Sequence, residues 1–225
     1  MNFISTEIFG FTITICIFFL VSRALKNVKN PLLNPLLISA IVIMLINYVL
    51  KIPYEQYNAG GSILTFFIAP ATVALGLPLY RKRDLLKKYK FEILISIIVG
   101  TCVGLGSVYG LSKLFGLTEE TLLSLLPKQT TTAIGAEVSL QIGGLVPLTI
   151  ASIIVAGTTG VVTKELIQKA LKIQTDEAMG LALGTGSHVF GTNKAMEHSE
   201  IAGAMASLAT CLCGIVTAII LSIIY

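Results

Sequence analysis

From Ala178 to Asn193 the chain carries no formal charge, yet Gly180, Gly184, Gly186 and Gly191 interrupt it. Thr185, Ser187, His188, Thr192 and Asn193 make the same stretch polar. It lies within Met179–Glu200, MGLALGTGSHVFGTNKAMEHSE, between an apolar run and a final membrane-length segment. Lipid offers no partner to an exposed N–H or C=O. A polar, glycine-broken backbone is therefore tolerated at membrane depth only when it packs inside protein or lines a wet cavity. The stretch predicts two short helices meeting at a break. Gly184–Gly186 ends the first, and Thr192 or Asn193 caps the second, with Glu197 near its positive end. A soluble loop is the competing reading, but such a loop normally carries charge rather than Leu-Ala-Leu and Val-Phe.

The rest of the chain makes membrane depth the right frame. Of 225 residues, 54% are apolar and only 12% are charged, against about 25% charged in soluble domains. Mean hydropathy is +0.86. Long charge-poor runs define an all-α, polytopic helical membrane protein, and the short alternating segments of a membrane β-barrel are missing. The net charge of +4 sits in loops and reads as an orientation signal rather than as nucleic-acid binding. Glu7 stands inside the first apolar run with no basic segment before it, so the start reads as a span and not a cleaved signal peptide. Cys16, Cys102, Cys211 and Cys213 all lie in apolar runs and read as small packers. His188 and His198 lack the company of a metal site, and no cofactor is expected.

Phe3–Ser22 is the first span, followed by Arg23, Lys26 and Lys29. Pro35–Leu50 is the second. It is short, so it is tilted or extended back through Pro31–Leu33. Ala59–Tyr80 is the third, broken or kinked because Pro70 and Pro78 each lack an N–H and clash with the preceding turn. Arg81–Lys90 holds six of the sixteen basic residues and reads as a solvated cytoplasmic charge run. Phe91–Phe115 is the fourth span, where Gly100, Gly104, Gly106, Ser107 and Gly110 permit close helix approach. Thr118–Gly144 is amphipathic, with Lys128 and Glu137 near a Thr130–Thr132 turn. It reads as a re-entrant hairpin, with a surface helix plus loop as the alternative. Leu145–Thr163 is a span, Lys164–Asp176 a charged connector, and Ile201–Tyr225 the last span. The chain reads as a single domain, residues 1–225, with an N-terminal half 1–115 and a C-terminal half 116–225.

The halves echo one another. Pro35–Ile43 is similar to Pro147–Val155, and at a similar offset Pro70 falls on Gly184 and Gly100 on Gly214. An inverted internal repeat would match a proline-broken span with a glycine-broken one, which points to a midplane site. Placing Arg23–Lys29, Arg81–Lys90 and Lys164–Lys172 in the cytoplasm makes the last three spans oppose the second, third and fourth, and puts the C-terminus inside.

LLPKQTTTAIGAEVSLQIGG, GLALGTGSHVFGTNKAMEHSEIAGAMASLA and APATVALGLPLYRKRDLLKKYK resemble the LrgB/CidB/YohK family of bacterial membrane proteins over nearly the whole chain. Gln129, Thr130 and Ala133 depart from the family's Pro-Lys-Ser-Val-Thr-Thr-Pro pattern, and Val189, Phe190 and Asn193 from its His-Ala-Ile-Gly-Thr-Ala-Lys. Thr131, Thr132, Glu137, His188, Gly191, Thr192 and Lys194 keep it. The resemblance implies two functions. One is transport of small monocarboxylates: a plastid relative carries glycolate and glycerate, and bacterial two-component relatives take up pyruvate. The other is an antiholin-like role in murein hydrolase export and autolysis with an LrgA/CidA-type small membrane partner. It also implies a multi-pass homo-oligomer in the lipid bilayer of the bacterial cytoplasmic membrane. Broken helices carrying His, Lys, Glu and Thr are expensive in lipid, which argues for transport. An enzyme is the weakest reading, because Ser187 and His188 are adjacent with no third group to orient them.

The expected site joins Gly184–Asn193 to Gln129–Glu137 near the membrane midplane, with Pro70–Leu77 close by. A small carboxylate would face the N-terminus of the helix starting near Thr192–Asn193. Gln129, Thr130, Thr131, Thr132, Thr185, Ser187 and Thr192 would supply polar groups around it. Lys194 either turns inward to add a full charge or snorkels to the interface. For proton coupling the candidates are His188 and Glu137. His188 has a second reading as a hydrogen-bonding structural residue.

Overall fold

The computed structural model describes residues 8–26, 28, 33, 35–67, 70, 73, 80–81 and 83–225. Two compact units divide the chain, Met1–Ala71 and Thr72–Tyr225. In the first, α1 (Phe9–Ala24) packs against both α2 (Pro35–Val49) and α3 (Tyr54–Phe66). A Cβ at Gly10 would collide with the Tyr57 carbonyl oxygen, so glycine lets α1 and α3 touch backbone to backbone. The Thr14 hydroxyl and the Tyr57 phenol, 2.8 Å apart, fix the same crossing. At 16 and 15 residues, α1 and α2 fall short of the ~20 residues that span a bilayer upright. The described part of the third apolar run is helical over Tyr54–Phe66. The expected break between Pro70 and Pro78 lies mostly outside the described residues.

The second unit contains α4 (Arg83–Lys88), α5 (Lys90–Leu114), α6 (Glu119–Leu125), a 3₁₀ turn (Leu126–Gln129), α7 (Thr132–Gln141), α8 (Val146–Ala170), α9 (Asp176–His198) and α10 (Glu200–Ile224). Helices α5, α8 and α10 have 25 residues each and are apolar enough to cross a membrane, at about 37 Å long. The protein is an all-helical membrane protein. Ile93 and Ile97 of α5 pack on Met205 and Leu208 of α10. Leu105 and Val108 pack on Leu221 further along. The two helices therefore run parallel. Thr101 and Cys213, near their midpoints, lie 3.3 Å apart.

Between these spans the chain dips in twice and turns back. In the first dip Thr118 caps α6 by accepting from Thr121 N–H. Pro127 sits at the start of the 3₁₀ turn, and Thr131 caps α7 by accepting from Ile134 N–H at 3.3 Å. Seven and ten helical residues reach only about 10 and 15 Å, so neither arm crosses. Ser124 ties the hairpin to α8: its hydroxyl accepts from Leu145 N–H at 2.7 Å, and its carbonyl accepts from the Thr149 hydroxyl at 2.7 Å. The tip reaches the middle of the spans, where the Gln129 side-chain amide donates to the Thr101 carbonyl at 2.9 Å and Cys213 Sγ donates to the Gln129 carbonyl.

Helix α9 is the second dip. His188 has φ 49° and ψ −129°, which interrupts the helix. In a straight helix Asp176 and His198 would stand about 33 Å apart. Instead Asp176 Oδ1 and His198 Nε2 are 3.2 Å apart. The arms 176–187 and 189–198 are thus antiparallel, with His188 at the tip. Ser199 then caps α10 by accepting from Ala202 N–H.

This geometry corrects four expectations. The break falls at His188 and not at Gly184–Gly186, which stays helical. Gly180 and Gly184, four apart, face Ala202, Ala206 and Ala209 of α10, so these two glycines serve close packing. Thr192 is no cap: it lies inside the second arm, and its hydroxyl donates back to the His188 carbonyl at 2.9 Å. Because α9 returns to its starting side, α10 runs parallel to α5, and the C-terminus ends opposite the expected side. An inverted relation exists between the two hairpins, which enter from opposite ends of the bundle. The charged connector is also shorter than expected, since α8 runs to Ala170.

A cavity where two opposed hairpins meet

The hairpin tips stay close because glycines let them. A Cβ at Gly104 of α5 would overlap Gln129 Oε1, and one at Gly100 would sit 2.8 Å from Thr185 Cγ2. Gly157 and Gly160 of α8 make room in the same way for Phe190 and Ser187. At Gly191 a Cβ would collide with the Leu183 carbonyl oxygen of the opposite arm, so only glycine fits the inside of that turn. The Thr210 hydroxyl donates to the Gly184 carbonyl at 3.1 Å and lies 2.9 Å from Thr192 Oγ1, pinning both arms to α10.

A cavity of about 910 Å³ lies against this junction. At depth it is lined by Lys128, Gln129, Gly104, Thr185, Gly186 and His188. Towards its mouth stand Tyr89, Glu92, Thr175 and Glu177, at the starts of α5 and α9. Glu92 to Gly104 covers about 18 Å of helix. The Tyr89 phenol donates to Glu177 Oε1 at 3.1 Å across the rim. His188 is 2% exposed, and neither ring nitrogen has a hydrogen-bond partner among the described residues. Thr185 Oγ1 likewise has none. Lys128 is half-buried. An ammonium, a carboxamide, a hydroxyl and an imidazole thus gather at depth, while two carboxylates stay at the mouth.

Of the residues singled out in the sequence, Gln129, Thr185 and His188 line the cavity. Thr130, Thr131, Gly184, Ser187, Gly191 and Thr192 form the scaffold behind it. Thr130 is buried and donates to the Pro127 carbonyl at 2.8 Å, and Thr131 is occupied as the α7 cap. Thr132, Glu137 and Asn193 are exposed and do not line the cavity. Lys194 turns outward to Glu197 at 2.7 Å. Pro70 is exposed and belongs to the first unit. Lys128 is the charged residue at depth that the sequence reading left out of the site, as it did Tyr89, Glu92, Thr175 and Glu177 towards the mouth. The signal for Lys128 was available: it is the one formal charge from Thr121 to Ala136, and a lone cation in a charge-free membrane stretch marks a functional position.

Two opposed hairpins beside a largely apolar cavity with a few polar groups at depth, set among membrane-length helices, define a helical membrane protein. The chain belongs to the LrgB-like family, whose model matches residues 14–225. It is 33% identical over 217 residues to the "Antiholin-like protein LrgB" of Bacillus mycoides, covering 96% of this chain and 94% of that one. It is 31% identical over 212 residues to the "Holin-like protein CidB" of Staphylococcus epidermidis, covering 94% and 93%. To the "Uncharacterized protein YxaC" of Bacillus subtilis it is 33% identical over 203 residues, covering 90% and 88%. No solved structure matches the chain.

Proposed function

We propose that the chain is an antiholin-like or holin-like protein of a bacterial cytoplasmic membrane, crossing it several times and working with a small LrgA/CidA-type membrane partner. The observation that carries this reading is the shared name type of relatives that align along almost their whole length. These names favour it over the carrier reading. The test is deletion of the gene in its host, with murein hydrolase release and lysis rate measured before and after complementation. A changed lysis rate restored by the wild-type gene is expected; an unchanged rate sinks the reading.

The cavity favours a second reading, a path for a small monocarboxylate. Buried polar groups without partners are rare, and unpaired polar groups at membrane depth call for a reason. Lys128, Thr185 and His188 together suit an anion. Uptake of labelled pyruvate, lactate, glycolate and glycerate into proteoliposomes, with and without a pH gradient, tests it. No uptake of any of the four ends this reading and leaves the first intact.

A further inference from the structure

His188 carries two costs at one position. Its backbone occupies φ 49°, ψ −129°, a region that glycine enters freely and a residue with a Cβ does not. Its ring is 2% exposed and neither nitrogen makes a hydrogen bond within 3.5 Å among the described residues; the Lys128 backbone carbonyl approaches it but does not close a bond of that length. Glycine is the inexpensive residue for such a tip, and Gly184, Gly186 and Gly191 stand nearby. His188 nevertheless lines the deep end of the cavity with Lys128 and Thr185, whose hydroxyl is also unpartnered.

We propose that His188 is held in this strained turn because its ring is a ligand-binding group: a small, singly charged oxyanion accepts from the imidazole N–H, the Thr185 hydroxyl and the Lys128 ammonium. This rests on the second functional reading, the small-anion cavity. The size of the charge follows from the lining, which supplies one ammonium at depth and two carboxylates, Glu92 and Glu177, towards the mouth. A second negative charge would have no cation to meet.

The test uses the purified full chain with Cys16 and Cys102, both exposed, replaced by serine. Unfolding then uncovers the buried Cys211 and Cys213 to a thiol-reactive dye. Melting midpoints are measured at constant ionic strength in chloride, in lactate and in inorganic phosphate, for the reference chain, His188→Gly, His188→Ala and Thr185→Val. A ligand that binds only the folded state raises the midpoint. Lactate is expected to raise it in the reference chain more than phosphate does, and to lose at least nine-tenths of that rise in both His188 variants. Without ligand, His188→Gly is expected to melt higher than His188→Ala by at least about 2–4 °C, because both lack the ring and only alanine keeps the strain. Thr185→Val, which leaves the backbone alone, is expected to bind lactate at least tenfold more weakly. A full lactate shift in either His188 variant or in Thr185→Val overturns the proposal. So does an alanine variant as stable as the glycine one. A larger phosphate shift overturns the single-charge assignment. Absence of any shift in the reference chain instead overturns the cavity reading beneath it.

Discussion

At the scale of single residues, the junction depends on a few side chains being absent. Gly191 is the sharpest case, because its missing Cβ is filled by the Leu183 carbonyl of the opposite arm. A backbone oxygen cannot step aside as a side chain can. Gly191→Ala is expected to destabilise the fold by about 1–3 kcal/mol, the usual cost of overpacking, read as a lower melting midpoint and loss of the detergent-purified monodisperse species. Gly104→Ala should behave differently. Its obstacle is the end of the flexible Gln129 side chain, so the chain folds, but Gln129 must leave the Thr101 carbonyl and move into the cavity. The expected loss of stability is about 1 kcal/mol, one hydrogen bond, together with altered solute binding. Lys194 supplies the control. It pairs with Glu197 on the surface, and an exposed pair is worth about 0–1 kcal/mol. Lys194→Gln should leave both melting point and solute uptake nearly unchanged, whereas a Lys128→Gln chain should lose uptake; equal losses in the two would put the charge back on Lys194.

At the scale of elements, the sequence made the spans plain and the hairpins only half plain. Phe91–Phe115, Leu145–Thr163 and Ile201–Tyr225 are apolar enough that no other element fits them, and α5, α8 and α10 follow with ends shifted by a few residues. Thr118–Gly144 also announced its turn, because Pro127 and three threonines cannot continue an apolar helix. Within α9 the glycines misled. Four glycines suggest a break at the densest point, yet Gly180 and Gly184 sit four apart and fit α10 as a small-residue face. Nothing in a sequence marks a histidine as the residue at positive φ, since the surrounding packing sets that conformation. The hairpin's return was hidden for the same reason: it is fixed by Asp176 meeting His198 and Leu183 meeting Gly191, contacts that exist only once the turn is made. The caps are the locally encoded part. Thr131→Ala removes the bond to Ile134 N–H at the start of α7 and should cost about 0.5–2 kcal/mol, measurable as earlier hydrogen exchange in 131–141 than in α5.

At the scale of the whole second unit, the sidedness of its charges follows from the two dips. Arg83, Lys87, Lys88 and Lys90 stand at the start of α5, and Lys164, Lys169 and Lys172 at the end of α8 and just beyond. The Tyr89–Glu177 bond places the starts of α5 and α9 at one end, and α8 leads into α9 there through residues 171–175. Both basic groups therefore share the end on which the cavity opens, and the bias of basic flanking residues towards the cytoplasm predicts that this end faces it. The same chain path sends α10 away from that end. If α9 crossed the membrane, Tyr225 would return to the side of Lys88. Because α9 turns back at His188, Tyr225 lies on the other side, with Gly116 after α5. Single cysteines at positions 88, 172 and 199, and others at 116 and 225, in a chain otherwise free of reactive cysteines, separate the two paths. An impermeant maleimide added to intact cells is expected to label 116 and 225 and to reach 88, 172 and 199 only after permeabilisation. Labelling of 225 together with 88 would mean that the second dip is a span, and the meeting of the two tips would lose its basis.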